Sequence, residues 1–362
     1  MDKLQMARKE IGEIDAEMAE LFCRRMQAVE AVAAYKRERG LPVLDKARED
    51  ALIANNSALV EQDTLREYYV NFLKYTMQLS REYQQRLNEG VRVAYGGVPG
   101  AFASEAAEVL YPDGQHVNYA DFAAAYRAVE AGECDVAVLP VENSFAGEVG
   151  QVMDLMFSGS LYINRTCDLA VQQNLLVLPG TKHSEITEVV SHPQALDQCA
   201  GFLNAQGIAV RTPYANTAMA AKYVAELGKK HVAAIGSAQA AALYGLEVLE
   251  RGINQSAGNT TRFACFTRTE NKQTDRPDDN FILVFTVRHQ AGALAQAINI
   301  IGAYGYNMRN LHSRPMKDLA WNYYFYVECE GNIRTENGNQ MLRALAPMCD
   351  KLRLVGSYNV KR

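Results

Sequence analysis

Apolar positions in residues 1–90 recur every three or four residues. Ala7, Ile11, Ile14, Met18, Leu21, Ala28, Val32 and Tyr35 form a heptad-type seam, which predicts one long amphipathic helix. Gly40-Leu41-Pro42 stops it. Asp45 is placed to cap a second helix through about residue 54, ended by Asn55-Asn56. A third helix spans about Leu65 to Leu87. A compact domain of this size is about 30 Å across, whereas a helix of about 35 residues is about 52 Å long. The first helix therefore overshoots its own domain. Its seam continues along the overshoot, and a dimer of long helices is the simple way to cover it.

From residue 91 the texture changes. The runs VRVAYGG, CDVAVLPVEN, LLVL, ITEVVSHP, AVRTPY, HVAAIGS and RFACF alternate with Ala-rich stretches. That predicts a parallel, doubly wound α/β segment over 91–270, in one domain or two lobes. A polar stretch with a proline, NKQTDRPDDN at 271–280, reads as a linker. Residues 280–362 then order as βαββαβ, a ferredoxin-like α+β unit. The expected chain is multidomain, with segments 1–90, 91–270 and 280–362.

The formal net charge of −5 gives no basic field for nucleic acid. FILVF and YYFYV are too short to span a membrane, and the N-terminus lacks the apolar core of a secretory signal. The seven cysteines are scattered and odd in number, as expected of reduced thiols in a cytoplasmic protein. The six histidines show no ligand spacing, so neither metal nor cofactor is expected.

Charges interrupt the helical seam. Arg25 lies between Leu21 and Ala28, where an unpaired charge is costly. Lys36 follows eleven residues later, about 20° from the same face. Arg8 is seventeen residues before Arg25, about 100° off that face, so it misses this pocket but can enter a partner's. On the third helix Ser80 and Gln84 share a face. Periodicity alone favours a solvated charged helix or an antiparallel coiled-coil dimerisation arm. The runs ARKEIGEIDAEM, CRRM, YKRERGLPVLDKARED and LSREYQQ, however, resemble the all-helical chorismate mutase family over nearly all of residues 4–87. The resemblance implies a site of Arg8, Arg25, Lys36, Asp45, Arg48, Glu49, Ser80 and Gln84 in a helix-swapped homodimer. The arginines would clamp the two carboxylates of chorismate. Lys36 and Gln84 would donate to the ether oxygen, and Glu49 with Asp45 would hold the ring hydroxyl. The rearrangement is pericyclic, so conformer selection and charge stabilisation supply the catalysis.

In the middle segment polar residues gather at strand ends: Glu142-Asn143-Ser144, Ser191-His192-Pro193-Gln194, Asn216-Thr217 and Asn259-Thr260-Thr261-Arg262-Phe263. Open α/β sheets bind ligands there, although each motif alone also fits a turn or a cap. Together with LPVENSFAGEV, VVSHPQALDQC, AAIGS and YGLEVLERGI they resemble prephenate dehydratase over most of residues 91–270. That implies a two-lobed fold like type II periplasmic binding proteins, crossed twice by the chain, with Thr261 as the central catalytic residue. Glu142, Asn143, Ser144, Ser191, Gln198, Thr217 and Phe263 are the candidate lining, and Arg262 with backbone N–H groups the carboxylate clamp. The family's glycine-rich opening departs here: Ala101 and Ala103 occupy hydroxyl positions, and Ser104 lies one residue late.

The last segment resembles an ACT domain of the phenylalanine-binding kind. Gly292-Ala293-Leu294-Ala295, Asn307 and His312-Ser313-Arg314-Pro315 stand at its motifs, with His312 replacing the usual Glu. The resemblance implies phenylalanine as allosteric inhibitor. The combined expectation is a homodimeric or larger bifunctional enzyme converting chorismate to prephenate and prephenate to phenylpyruvate. Two alternatives stand beside it: an amino-acid sensor with reduced catalysis, and a dehydratase preferring arogenate.

Overall fold

A computed structural model describes residues 2–255, 258–270, 279–316 and 322–361. Most of the expected linker, 271–278, and Trp321 of the expected strand lie outside the described residues. The chain forms two compact units, Met1–Val91 and Arg92–Arg362.

The first unit is three helices: α1 (Lys3–Glu38), α2 (Lys46–Ser57) and α3 (Asp63–Glu89). Asp2 caps α1 by accepting from Gln5 N at 2.8 Å, and Asp45 caps α2 by accepting from Arg48 N at 3.1 Å. Gly40, at φ 63°, follows α1, and Gly90, at φ 82°, ends α3, positions where a side chain would be strained. The second helix runs to Ser57, past the expected stop at Asn55-Asn56. Asn is only a weak helix breaker and gives way when the turn can continue. Ala33, Leu73 and Met77 are buried where the helices pack. Residues 2–24 are exposed throughout, including Leu4, Met6, Ile11, Ile14, Met18, Leu21 and Phe22. At 36 residues, α1 is about 54 Å long, and its N-terminal half carries an apolar stripe that is exposed among the described residues.

The second unit opens with β1 (Arg92–Gly96), α4 (Phe102–Leu110), β2 (Gln115–Tyr119), α5 (Phe122–Glu130), β3 (Val136–Asn143), β4 (Gly147–Glu148), α6 (Gly150–Ser158) and β5 (Tyr162–Ala170). The chain then crosses into a second lobe: β6 (Asn174–Val177), β7 (Glu188–Ser191), α7 (Pro193–Gln198), α8 (Ala200–Ala205), β8 (Val210–Pro213), α9 (Thr217–Leu227), β9 (Val232–Gly236), α10 (Ala238–Tyr244) and β10 (Glu247–Glu250). It returns as β11 (Thr260–Thr267). These are the two lobes and two crossings expected, but the sheets are mixed rather than parallel. β11 runs antiparallel to both β3 and β5, and β6 runs antiparallel to β9 and β10. A strand that returns from the other lobe needs no crossover helix, so it can enter the sheet in the opposite direction.

The remaining elements are β12 (Asn280–Val287), α11 (Ala293–Ala303), β13 (Asn307–Pro315), β14 (Tyr323–Glu330), α12 (Glu336–Leu345), β15 (Cys349–Tyr358) and β16 (Val360–Lys361). Their order β13-β14-β12-β15 is that of a ferredoxin-like sheet. It does not stand apart. β15 and β16 pair with β5, giving one path β13-β14-β12-β15-β5-β11-β3-β1-β2. Ile282, Val284, Tyr326, Val355 and Tyr358 belong to the same buried cluster as Leu139, Met153, Met156 and Ile163. Among the described residues no helix is long and apolar enough to cross a membrane.

Candidate active sites

In the helical unit a cavity of about 200 Å³ is walled by all three helices. Arg25, Lys36, Asp45, Arg48, Glu49, Ser80 and Gln84 all line it. Arg25 donates to Ser80 Oγ, which donates on to Thr76 O at 2.7 Å. Lys36 Nζ donates to Val43 O at 2.6 Å. Gln84 Nε2 donates to Ser80 O at 3.3 Å, leaving its second amide hydrogen for another acceptor. Burial, and then the charge of Arg48, draw Arg25 below the usual guanidinium range. Two crowded cations with little water are relieved by an anion, so the pocket is prepared for carboxylates. Arg8 is absent from this lining. It sits seventeen residues up the same helix, about 25 Å away.

The second cavity, about 600 Å³, is lined from both lobes of the dehydratase-like segment. At its wall four side chains form a hydrogen-bonded chain. Asn259 Nδ2 donates to Gln198 Oε1 at 3.1 Å. Asn143 Nδ2 donates to Asn259 Oδ1 at 2.8 Å and to Thr261 Oγ1 at 2.9 Å. Asn143 Oδ1 is fixed by Phe145 N and Ala146 N at 3.0 and 2.9 Å. Thr261 Oγ1 is thus an acceptor on its inner side, and its proton can point into the cavity. Among the described lining residues there is no Lys or Arg. Helix starts surround the space instead: Ala101, Phe102 and Ala103 open α4, Asp121 caps α5, His192 caps α7 and Asn216 caps α9. Three of these starts have one N–H paired by the capping side chain, Ala124 N with Asp121, Gln194 N with His192 and Met219 N with Asn216; the other first-turn N–H groups and the positive dipole ends favour an anion, each start by about 0.3–1 kcal/mol. Gly96 is required where β1 meets α5: a Cβ there would lie 2.5 Å from Phe122.

The structure sorts the sequence candidates for this cleft. Thr261, Asn143, Gln198, Thr217 and Phe263 line it. Glu142 and Arg262 do not, because strand neighbours face opposite ways. Arg262 donates to Asp168 at 2.8 Å and approaches Glu328 at 3.4 Å and Glu142 at 3.9 Å. It is a structural tie behind the strand, and its hydrogen bond and ion pairs raise it above the ordinary guanidinium range despite burial. Ser144 closes a turn, donating to Gly258 O and accepting from Thr260 N, both at 3.0 Å. Ser191 is fully buried and donates to Ile235 O at 2.7 Å. Ser104 is buried and hydrogen-bonds the Tyr95 hydroxyl, so it does not replace the hydroxyls missing at Ala101 and Ala103. Asn259 and Glu148 fall within the quoted Asn259–Phe263 and LPVENSFAGEV runs but were given no role from sequence.

In the C-terminal segment Gly292 starts α11 at φ 81°, beside Ala293 and Leu294. Ser313 is exposed. Arg314 donates to Asp154 at 3.0 Å, and Tyr324 donates to the same oxygen at 2.7 Å. His312 Nδ1 lies 3.6 Å from Glu148, a residue of the cleft wall. Asn307 donates to Glu330 at 2.8 Å. It begins β13 while Arg314 nearly ends it, so one chain does not bring Asn307 and Arg314 together.

Comparison with known proteins matches both segments. Residues 7–85 fit the family model "Chorismate mutase type II", and residues 93–271 fit "Prephenate dehydratase". A bifunctional chorismate mutase/prephenate dehydratase of Enterobacter agglomerans is 31% identical over 384 residues, covering 97% of this chain and 94% of that protein. The chain belongs to the bifunctional chorismate mutase/prephenate dehydratase family. As a member it carries both activities, so the sensor-only alternative falls. The first match spans every lining residue of the helical pocket, and the second every lining residue of the two-lobed cleft. Arogenate dehydratase/prephenate dehydratase 1, chloroplastic, of Arabidopsis thaliana is 35% identical over 283 residues, 74% of this chain and 72% of that protein. Among solved structures, prephenate dehydratase from Arthrobacter aurescens in complex with L-Phe aligns with a TM-score of 0.69 and 26% identity, covering 74% of this chain and 90% of that one. GqqA, described as a novel type of quorum quenching acylase, aligns with a TM-score of 0.69 and 30% identity, covering 75% and 98%.

Proposed function

We propose that the two sites divide the chemistry as follows. In the mutase pocket Arg25 and Arg48 clamp the carboxylates of chorismate, joined by Arg8 of a second copy. Lys36 and Gln84 stabilise charge growing on the ether oxygen, and Glu49 accepts the ring hydroxyl. In the dehydratase cleft the helix starts hold the carboxylates of prephenate. Thr261 Oγ1 donates a hydrogen bond to the departing ring hydroxyl, and a proton relayed from solvent turns that hydroxyl into water. The ring carboxylate leaves as carbon dioxide, its bonding pair enters the ring, and the ring aromatises as water departs. The observation that carries this reading is the Gln198–Asn259–Asn143–Thr261 chain, which fixes one hydroxyl at the wall of a cavity edged by helix starts.

The homodimer follows from the uncovered stripe on α1 and from the distance of Arg8. The C-terminal segment is an ACT domain, the last of three segments at 1–90, 91–270 and 280–362, its sheet continuous with that of the middle one. Phenylalanine binding by Gly292, Ala293, Leu294, Asn307, His312, Ser313 and Arg314 is supported by the family motifs and by the L-Phe complex of the Arthrobacter aurescens relative. Because one chain leaves Asn307 far from Arg314, a second copy completes that site. Seven free cysteines suit a reducing cytoplasm.

A second reading concerns substrate. Glu148 places a carboxylate on the cleft wall, a partner for the ammonium of arogenate that prephenate lacks. Supplying chorismate, prephenate or arogenate to the purified protein, with and without phenylalanine, separates these. Phenylpyruvate from chorismate and prephenate, suppressed by phenylalanine, supports the main reading. Faster turnover of arogenate than prephenate assigns the cleft to arogenate, and phenylalanine without effect removes the sensor.

A further inference from the structure

The mutase pocket contains one cation that the family pattern quoted above does not include. Arg81 follows Ser80 on α3 and lies three residues before Gln84, so both neighbours flank it on the pocket side of the helix. Its Nη1 reaches both carboxylate oxygens of Glu49, at 2.5 and 2.6 Å. Both side chains line the cavity, and they are only 30% and 25% exposed.

An Arg–Glu contact between neighbouring helices is often only a tie, worth about 0–1 kcal/mol when exposed. Two features separate this one from a tie. First, the acceptor is itself a pocket residue, on the helix that Asp45 caps. Second, a single Arg81 nitrogen holds both carboxylate oxygens at the cavity wall, which fixes the orientation of the Glu49 carboxylate.

We propose that Arg81 is a positioning residue of the mutase reaction, holding Glu49 oriented to accept the ring hydroxyl of chorismate. This rests on the role given to Glu49 above. Arg81 acts through Glu49 and does not itself touch the substrate.

The test is a double-mutant cycle in the full-length protein, with prephenate turnover by the same preparation as the control for intact protein. Arg81→Met is expected to lower mutase kcat about tenfold with KM within about threefold, and Arg81→Lys to recover part of it, since the charge returns without the fork. Glu49→Gln is expected to lower kcat at least as far, and adding Arg81→Met to it to change kcat by less than about twofold. A wild-type kcat in Glu49→Gln overturns the Glu49 reading, and this proposal with it. An impaired Glu49→Gln beside an unaffected Arg81→Met overturns the proposal alone. So does a double variant whose loss is the product of the two single losses, or a loss in Arg81→Met confined to KM, which would make Arg81 a direct carboxylate ligand.

Discussion

Thr261→Val removes one oxygen and its proton while keeping the β-branched shape that suits β11. The structural cost is small. Asn143 Nδ2 loses the 2.9 Å contact with Thr261 but keeps Asn259 Oδ1 at 2.8 Å and Thr260 O at 3.3 Å. No buried donor is orphaned, so stability falls by about 1 kcal/mol or less. The catalytic cost is larger, because the lost proton is the one aimed at the leaving hydroxyl. Removing a single preorganised donor to a transition state costs about 2.7–4 kcal/mol, or roughly 10²–10³ in rate. Phenylpyruvate formation from prephenate, followed at saturating substrate, should drop by that factor with little change in KM. Mutase turnover of chorismate by the same sample should be unchanged, since that pocket belongs to a separate compact unit. A dehydratase kcat within about tenfold of wild type would refute the role given to the Thr261 hydroxyl. An equal fall in both activities would refute the separation of the sites.

Lys36→Ala should cut mutase kcat by about two orders of magnitude, as loss of one oxyanion donor does, and leave prephenate turnover intact; paired assays on one preparation check this. Ser191→Ala should lower the urea-derived stability by about 1 kcal/mol through the lost bond to Ile235 O and leave dehydratase KM unchanged. Gly356→Ala should cost about 3 kcal/mol in the same titration, since its Cβ would lie 2.0 Å from Ile163 O. Burial pushes the thiols of Cys199, Cys265 and Cys329 up to about 12, whereas unfolded thiols ionise near roughly 8.5. Their contribution to stability is therefore complete below about pH 8.5 and declines as pH rises toward 12. Urea midpoints measured at pH 7.5 and 10 should fall, and less steeply in Cys199→Ala.

The helical unit was legible because its message is angular. Eleven residues between Arg25 and Lys36 put both cations on one face, and seventeen put Arg8 off it. Arg81 was not legible, since its pairing with Glu49 joins two helices and leaves no spacing in the chain. The cleft was half legible. Motifs located Thr261, Asn143 and Gln198, but alternation along the strand also tells that Glu142 and Arg262 face away from Asn143 and Thr261, a rule the motif reading overlooked. Ser191 looked like a ligand and proved to be core, because a hydroxyl at a strand end serves either purpose. Strand direction was not legible at all: alternating β and α runs read the same whether β11 enters the sheet parallel or antiparallel.

The shared sheet has a practical consequence for dissecting the protein. Cutting the chain before residue 280 would take Ile282, Val284, Tyr326, Val355 and Tyr358 out of the interior that Leu139 and Ile163 help build. It would also bare the β5 edge that β15 and β16 cover, and an uncovered edge above a torn core invites self-association. The C-terminal segment is therefore not severable in the way a tethered module is. A shortened chain that precipitated or lost dehydratase activity would report damage to a common wall, and it would say nothing about release from inhibition.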